Sequence, residues 1–192
     1  MLGVFLDTET NGLNPHKHSI LELAYKIIDV ETGTLKYAYE AVIAQSEANW
    51  ARTHPGSLEV NGFSWEEISR GLPPEKVAGA TITAFAQNGV KRENAVFICQ
   101  NPSFDRAFFS QLIDPDLQES LGWPYHWLDL ASMYWALHIN KEPFPWQTGV
   151  SKDKISETYN LQPEKKPHRA MNGVNHLLLC YEAIVGYPAI VS

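Results

Sequence analysis

The chain is 192 residues long, enough to bury a core without disulfides or a structural metal. Its 22 Asp and Glu against 15 Lys and Arg leave a formal charge of −7, which argues against a sequence-independent grip on long duplex DNA, where affinity comes from many phosphates neutralised by cations. No stretch approaches the roughly 20 apolar residues of a membrane span, Met1-Leu2-Gly3-Val4-Phe5-Leu6-Asp7 meets a charge too early for a signal peptide, and Cys99 and Cys180 both sit inside apolar runs, so one cytoplasmic domain over residues 1–192 is expected.

In chain order, Val4-Phe5-Leu6 is a short apolar run closing on Asp7, with the turn formers Thr10-Asn11-Gly12-Leu13-Asn14-Pro15 behind it. A buried strand with carboxylates at its tip is the expectation. Ile20 to Ile28 and Tyr37 to Ile43 read as further strands joined through Glu31-Thr32-Gly33, a β-meander. Ser64 and Glu67 have the spacing of a capping box for a short helix, and Pro73 to Asn88 carries a stronger helical pattern. Val96-Phe97-Ile98-Cys99 is another buried strand, followed by Asn101-Pro102-Ser103 as a turn and Phe104 to Ile113 as a helix.

Leu128 to Leu137 looks helical after a short extended entry, whereas Glu142 to Val150, with two prolines, a glycine and Trp146, reads as a loop. Ser151 is a cap for a helix reaching Tyr159, Gln162 to Pro167 is a charged linker, and Val174 to Val185 is the closing helix. Strands first and helices interleaved later predict an α/β fold, a mixed central sheet flanked by helices. Trp50, Trp65 and Trp146 offer stacking surfaces for bases, although burial is the commoner fate of tryptophan.

Asp7 and Glu9 are two apart on an extended strand, so alternation sends both carboxylates to one side, where they can face one cation. Oxygen donors suit Mg²⁺ or Mn²⁺, and the Cys and His spacing of a zinc site is missing. Asp105 follows a buried strand and a tight turn, an abrupt way to bring a carboxylate to a sheet rim, and Phe104 beside it anchors the turn. Each is also what an ordinary strand end or helix N-terminus would carry. His168, after the charged linker and ahead of the last helix, is placed to titrate near neutral pH and activate water.

Phe5-Leu6-Asp7-Thr8-Glu9-Thr10-Asn11-Gly12-Leu13, then Asn101-Pro102-Ser103-Phe104-Asp105, then His168-Arg169-Ala170 resemble, in order and separation, the three motifs of the DEDDh (DnaQ-like) 3′→5′ exonucleases. That family has the RNase H-like fold and includes the proofreading ε subunit of bacterial DNA polymerase III. Ile20-Leu21-Glu22-Leu23-Ala24, Val60-Asn61-Gly62-Phe63 and Leu128-Asp129-Leu130 resemble intermediate segments, so the likeness spans nearly the whole chain.

The resemblance implies a two-metal nuclease that releases nucleoside 5′-monophosphates from single-stranded or 3′-frayed DNA or RNA. Asp7, Glu9 and Asp105 would hold two Mg²⁺ or Mn²⁺ ions, and His168 would be the general base. Leu13 would wedge against the terminal base, while Thr10, the Asn11 and Gly12 backbone, Asn101 and Phe104 would contact the 3′ nucleotide.

The family's last aspartate falls five residues after the histidine, where this chain has Gly173. Asn172-Gly173 is a turn signal able to absorb a two-residue insertion, which would bring Asn175 into the fourth ligand position. Ungapped placement keeps Gly173 there instead. Asn is neutral and offers one oxygen, so either residue implies weaker metal binding and reduced activity. The missing aspartate also supports a rival from another class, a non-catalytic module that grips a 3′ end or a polymerase partner.

Overall fold

The chain's computed structural model describes residues 1–188. Three strands come first, β1 (Leu2–Thr10), β2 (Ile20–Asp29) and β3 (Thr34–Val42), followed by α1 (Glu47–Trp50), α2 (Pro55–Asn61), α3 (Trp65–Ser69) and α4 (Pro74–Gln87). Then come β4 (Ala95–Cys99), α5 (Pro102–Leu112), α6 (Pro115–Ser120), β5 (Trp127–Asp129), α7 (Leu130–His138), α8 (Pro145–Thr148), α9 (Lys152–Tyr159) and α10 (Ala170–Ile184). The strands form one sheet in the order β3-β2-β1-β4-β5, antiparallel through the opening meander and parallel from β1 to β4 and β5. This is the expected mixed sheet flanked by helices.

Alternation along β1 sorts the core into two layers. Val4 and Leu6 join Tyr25, Phe97, Phe85 and Phe109 in a cluster that includes residues of α4 and α5. Phe5 joins Ile98, Tyr134, Ile155, Val174 and Leu177 on the opposite face, where α7, α9 and α10 contribute. The Phe5 and Tyr181 rings meet edge to face with centroids 5.0 Å apart. Asp7 and Glu9 continue the Phe5 side, and Thr8 continues the side of Leu6.

β1 outruns its parallel neighbour. Pairing with β4 ends at Phe5↔Ile98, whereas pairing with β2 continues to Thr10↔Ile20. The second half of β1 therefore has an open edge beyond the end of β4, a setting in which open α/β sheets place their ligand sites. The carboxylates sit inside the strand rather than at its tip.

Local signals account for several boundaries. Ser64 accepts from the Glu67 amide at 3.2 Å and Glu67 accepts from the Ser64 amide at 3.1 Å, the predicted capping box. Ser151 likewise caps α9 through the Lys154 amide. Prolines mislead where they read only as breakers: Pro55, Pro102, Pro115 and Pro145 each open a helix, because the first helical position has no partner for an N–H. The expected turn Asn101-Pro102-Ser103 is thus mostly the first turn of α5, and the expected loop 142–150 contains α8.

Leu128 and Asp129 belong to β5, and the helix after them starts at Leu130. Trp50 and Trp65 pack against each other, with centroids 6.0 Å apart, beside Leu21 and Phe63, while Trp146 is exposed. Both cysteines are buried and unpaired. Among the described residues, no helix is long and apolar enough to cross a membrane.

The largest correction concerns the closing helix, which starts at Ala170 rather than Val174. Asn172-Gly173 is inside it, not a turn. Glu22 on β2 accepts from the Ala170 amide at 2.7 Å, and Ala170, Gly173, Val174 and Leu177 form a buried stripe at helical spacing. A carboxylate from another strand caps this helix, outweighing the local turn preference of Asn-Gly.

Candidate active site

Asp105 lies in the first turn of α5, buried beneath the open half of β1. Thr8 pins it there, donating its amide at 3.1 Å and its hydroxyl at 3.0 Å to Oδ1. His168 is fixed by the chain on both sides. Its amide donates to the Val60 carbonyl at 3.1 Å, and the neighbouring Arg169 lies 3.8 Å over the Phe63 ring and 2.9 Å from Glu67. Asp7, Glu9, Asp105 and His168, remote in sequence, line one cavity of about 310 Å³.

Lys152 and Glu164 line the same cavity without having been signalled by any motif. Gln100, just past β4, donates to the Val150 carbonyl at 2.8 Å and so fixes the chain leading into α9 and Lys152. The Lys152 ammonium reaches Asp7 Oδ1 at 3.3 Å, Glu164 Oε2 at 3.1 Å and the Gly173 carbonyl at 3.3 Å, one acceptor for each of its three N–H groups.

Glu164 is 3% exposed, in a linker whose charges suggested solvent. Its carboxylate also meets His168 Nδ1 at 3.0 Å and His176 Nδ1 at 3.4 Å. Only the run Glu164-Lys165-Lys166 is visible in sequence, and it resembles any solvated segment.

The fourth ligand position requires a correction. Asn175 is exposed on α10 and accepts from Lys26 Nζ at 2.6 Å, and it is not part of the cavity wall. Two residues along a helix turn a side chain roughly 200° around the axis, so Asn175 cannot share the direction of Gly173. Gly173 is the residue at the carboxylates: a β-carbon there would lie 2.3 Å from Asp7 Oδ2.

A second cavity of about 340 Å³ shares Thr8, Glu9 and Phe104 with the first and is lined also by Thr10 and Leu13. Leu13 is 80% exposed, a large apolar side chain at a cavity mouth. Asn101 lines the acidic cavity, with Oδ1 accepting from Ser103 Oγ at 2.6 Å. The expected Asn11 backbone contact is not available, because Asn11 is fully buried and its amide donates to the Ser19 carbonyl at 3.1 Å. Gly12 is closed off by the His18 ring, 2.5 Å from where a β-carbon would stand, so both residues shape the loop.

The electrostatics express crowding. Burial, then the charges of Asp7, Glu22 and Glu164, push the Glu9 carboxyl up to about 8. Burial and Asp7 push Asp105 to about 8 as well, against the Thr8 hydrogen bonds. Asp7 is also raised by burial, with Lys152 pulling the other way. Glu164 moves oppositely: burial resists its ionisation, but the His176 hydrogen bond and Lys152 hold it at about 2. Burial disfavours the charge of Lys152, yet Asp7 and Glu164 outweigh it and keep the ammonium protonated.

Among the described residues no three Asp, Glu, His or Cys side chains form a ready-made metal cluster. Lys152 bonds Asp7 on one side of the cavity and Thr8 bonds Asp105 on another. The donor chemistry nonetheless fits a hard cation. Asp7, Glu9 and Asp105 offer only oxygen, and a divalent ion would offset both the burial and the mutual repulsion that raise Glu9 and Asp105.

No protein-family profile matches the chain. It is 31% identical over 111 residues to ribonuclease T of Actinobacillus pleuropneumoniae serotype 5b, covering 56% of this chain and 51% of that protein. It is 26% identical over 137 residues to ribonuclease T of Marinobacter nauticus, covering 69% of this chain and 62% of that one. The match thus spans a little over half the length of these relatives. Escherichia coli exonuclease I, solved with a 5cy-dT13 oligonucleotide, superposes with a TM-score of 0.75 at 15% identity, covering 95% of this chain and 40% of that one. The nuclease domain of 3′hExo, a DEDDh family member solved with rAMP, gives 0.69 at 11% identity, covering 93% and 88%. These superpositions establish the fold.

Proposed function

We propose, from the premise that this chain belongs with the DEDDh exonucleases in fold and in the order of its motifs, that it is a metal-dependent 3′→5′ exonuclease. Its substrates would be single-stranded or frayed nucleic acid ends, and its products nucleoside 5′-monophosphates. The observation that carries this reading is that Asp7, Glu9, Asp105 and His168 line one cavity. Ribonuclease T relatives and an exonuclease I complex with an oligonucleotide point the same way. A charge of −7 favours single strands over long duplexes.

Asp7, Glu9 and Asp105 would hold Mg²⁺ or Mn²⁺, of which the family uses two. When bound, the cation acidifies the attacking water and neutralises charge at the phosphoryl group. His168, with Nδ1 facing Glu164, presents its other ring nitrogen as the base that takes the water's proton as the phosphorus–O3′ bond breaks. Glu164 is a positioning residue: it orients the imidazole and stabilises the charge it acquires. Thr10, Leu13 and Phe104, lining the adjoining cavity, would hold the terminal nucleotide.

The test is digestion of 5′-labelled single-stranded DNA and RNA with Mn²⁺, read as a ladder shortening from the 3′ end. Asp105→Asn and His168→Ala serve as controls. A folded chain that cuts neither substrate with Mn²⁺ or Mg²⁺ ends the nuclease reading. Gly173 and the Lys152–Asp7 ion pair favour one alternative, a non-catalytic module for 3′ ends or a polymerase. That module would bind single strands in EDTA and never turn over.

A further inference from the structure

Lys152 is 13% exposed and has an acceptor for every donor, whereas Lys154, two residues on along α9, is 50% exposed and pairs with Glu157 at the surface. Its ammonium stands where the site departs from the family resemblance. It bonds the carbonyl of Gly173, the residue at the fourth-carboxylate position, and one oxygen of Asp7, the carboxylate against which Gly173 packs. The site has lost a ligand and gained a cation at the same place. Glu164, nearly buried between Lys152 and His168, fixes the ammonium from the far side.

We propose that Lys152 takes the place of one of the family's two divalent cations, so that this site loads a single Mg²⁺ or Mn²⁺; the inference rests on the nuclease reading above. A glycine cannot ligate an ion, and an ammonium already bonded to Asp7 repels a dication brought within a few ångströms of it. Lysine needs no coordination sphere: as a compact point charge it offsets negative charge on a nearby phosphate, and it can donate to a phosphate oxygen or to the leaving 3′ oxygen by giving up the Gly173 carbonyl. The remaining ion would be held by Glu9 and Asp105, with Asp7 shared between it and Lys152.

The experiment counts bound Mn²⁺ per chain by the electron paramagnetic resonance signal of the free ion, with and without a nucleoside 5′-monophosphate. One Mn²⁺ per chain in both conditions is expected. Lys152→Ala, which frees Asp7 and Glu164 as donors, is expected to raise the count to two with the mononucleotide. Two ions on the unaltered chain, or one on a folded Lys152→Ala chain, overturns the inference while leaving the nuclease reading standing. No bound Mn²⁺ at all overturns both.

Discussion

A β-carbon on Gly173 would lie 2.3 Å from Oδ2 of Asp7, so any larger residue there must displace the Asp7 carboxylate, which Lys152 holds. Gly173→Ala and Gly173→Asp are therefore expected to destabilise the chain by roughly 1–3 kcal/mol through overpacking. Asp at 173 should not restore a stronger nuclease. Asn175→Asp, at an exposed position paired with Lys26, should change stability by no more than about 0.5 kcal/mol and leave cleavage unchanged. Thermal melts and a cleavage assay on the three variants decide the matter; faster cleavage by Asn175→Asp would return Asn175 to the site.

Stability should depend on pH in opposite senses at the two sides of the cavity. Glu9 and Asp105 are held at about 8, against ordinary values of 4.5 and 3.8. At low pH both are neutral whether the chain is folded or not. As pH rises the unfolded chain releases these protons first, so metal-free stability falls until the folded carboxyls also ionise near 8. Glu164, held at about 2, stabilises the fold above its ordinary 4.5 and loses that effect as pH falls toward 2. Melting temperatures in EDTA should decline from about pH 5 to about pH 8, and Mn²⁺ should raise them most at the upper end. A flat profile in EDTA contradicts this.

Glu164→Gln keeps the side chain's volume and removes the charge that faces Lys152, His168 and His176. Breaking a buried pair in this way costs about 3 kcal/mol. If Glu164 positions His168, kcat should fall by roughly 10–100-fold, the range for lost supporting contacts, with KM little changed. Glu164→Asp should recover part of the loss. An unaltered kcat in Glu164→Gln would remove Glu164 from the mechanism.

Leu13 is 80% exposed, so Leu13→Ala should shift stability by no more than about 0.5 kcal/mol. Its place at the second cavity predicts a several-fold rise in KM for single-stranded ends with little change in kcat. Steady-state kinetics on a short oligonucleotide test this, and an unchanged KM would leave Leu13 without a substrate contact.

Much of the architecture could be read from local pattern. The β1 to β3 meander, the Ser64 capping box, the β4 strand and the Ser151 cap follow from alternation, turn residues and side-chain hydrogen bonds within a few positions. Boundaries failed where a distant group intervened. Glu22 starts α10 at Ala170, whereas local pattern reads Asn172-Gly173 as a turn and so favours Asn175 over Gly173 for the fourth position.

The sequence alone supplied the candidate residues, since Asp7, Glu9, Asp105 and His168 stand in the order of the exonuclease motifs they resemble and alternation along β1 puts Asp7 and Glu9 on one side. Only the tertiary structure decided what surrounds them. Glu164 and Lys152 look like ordinary surface charges until the linker and α9 fold over the open half of β1. Burial there removes competing water and makes each partner's charge count, and no local pattern encodes such a long-range encounter.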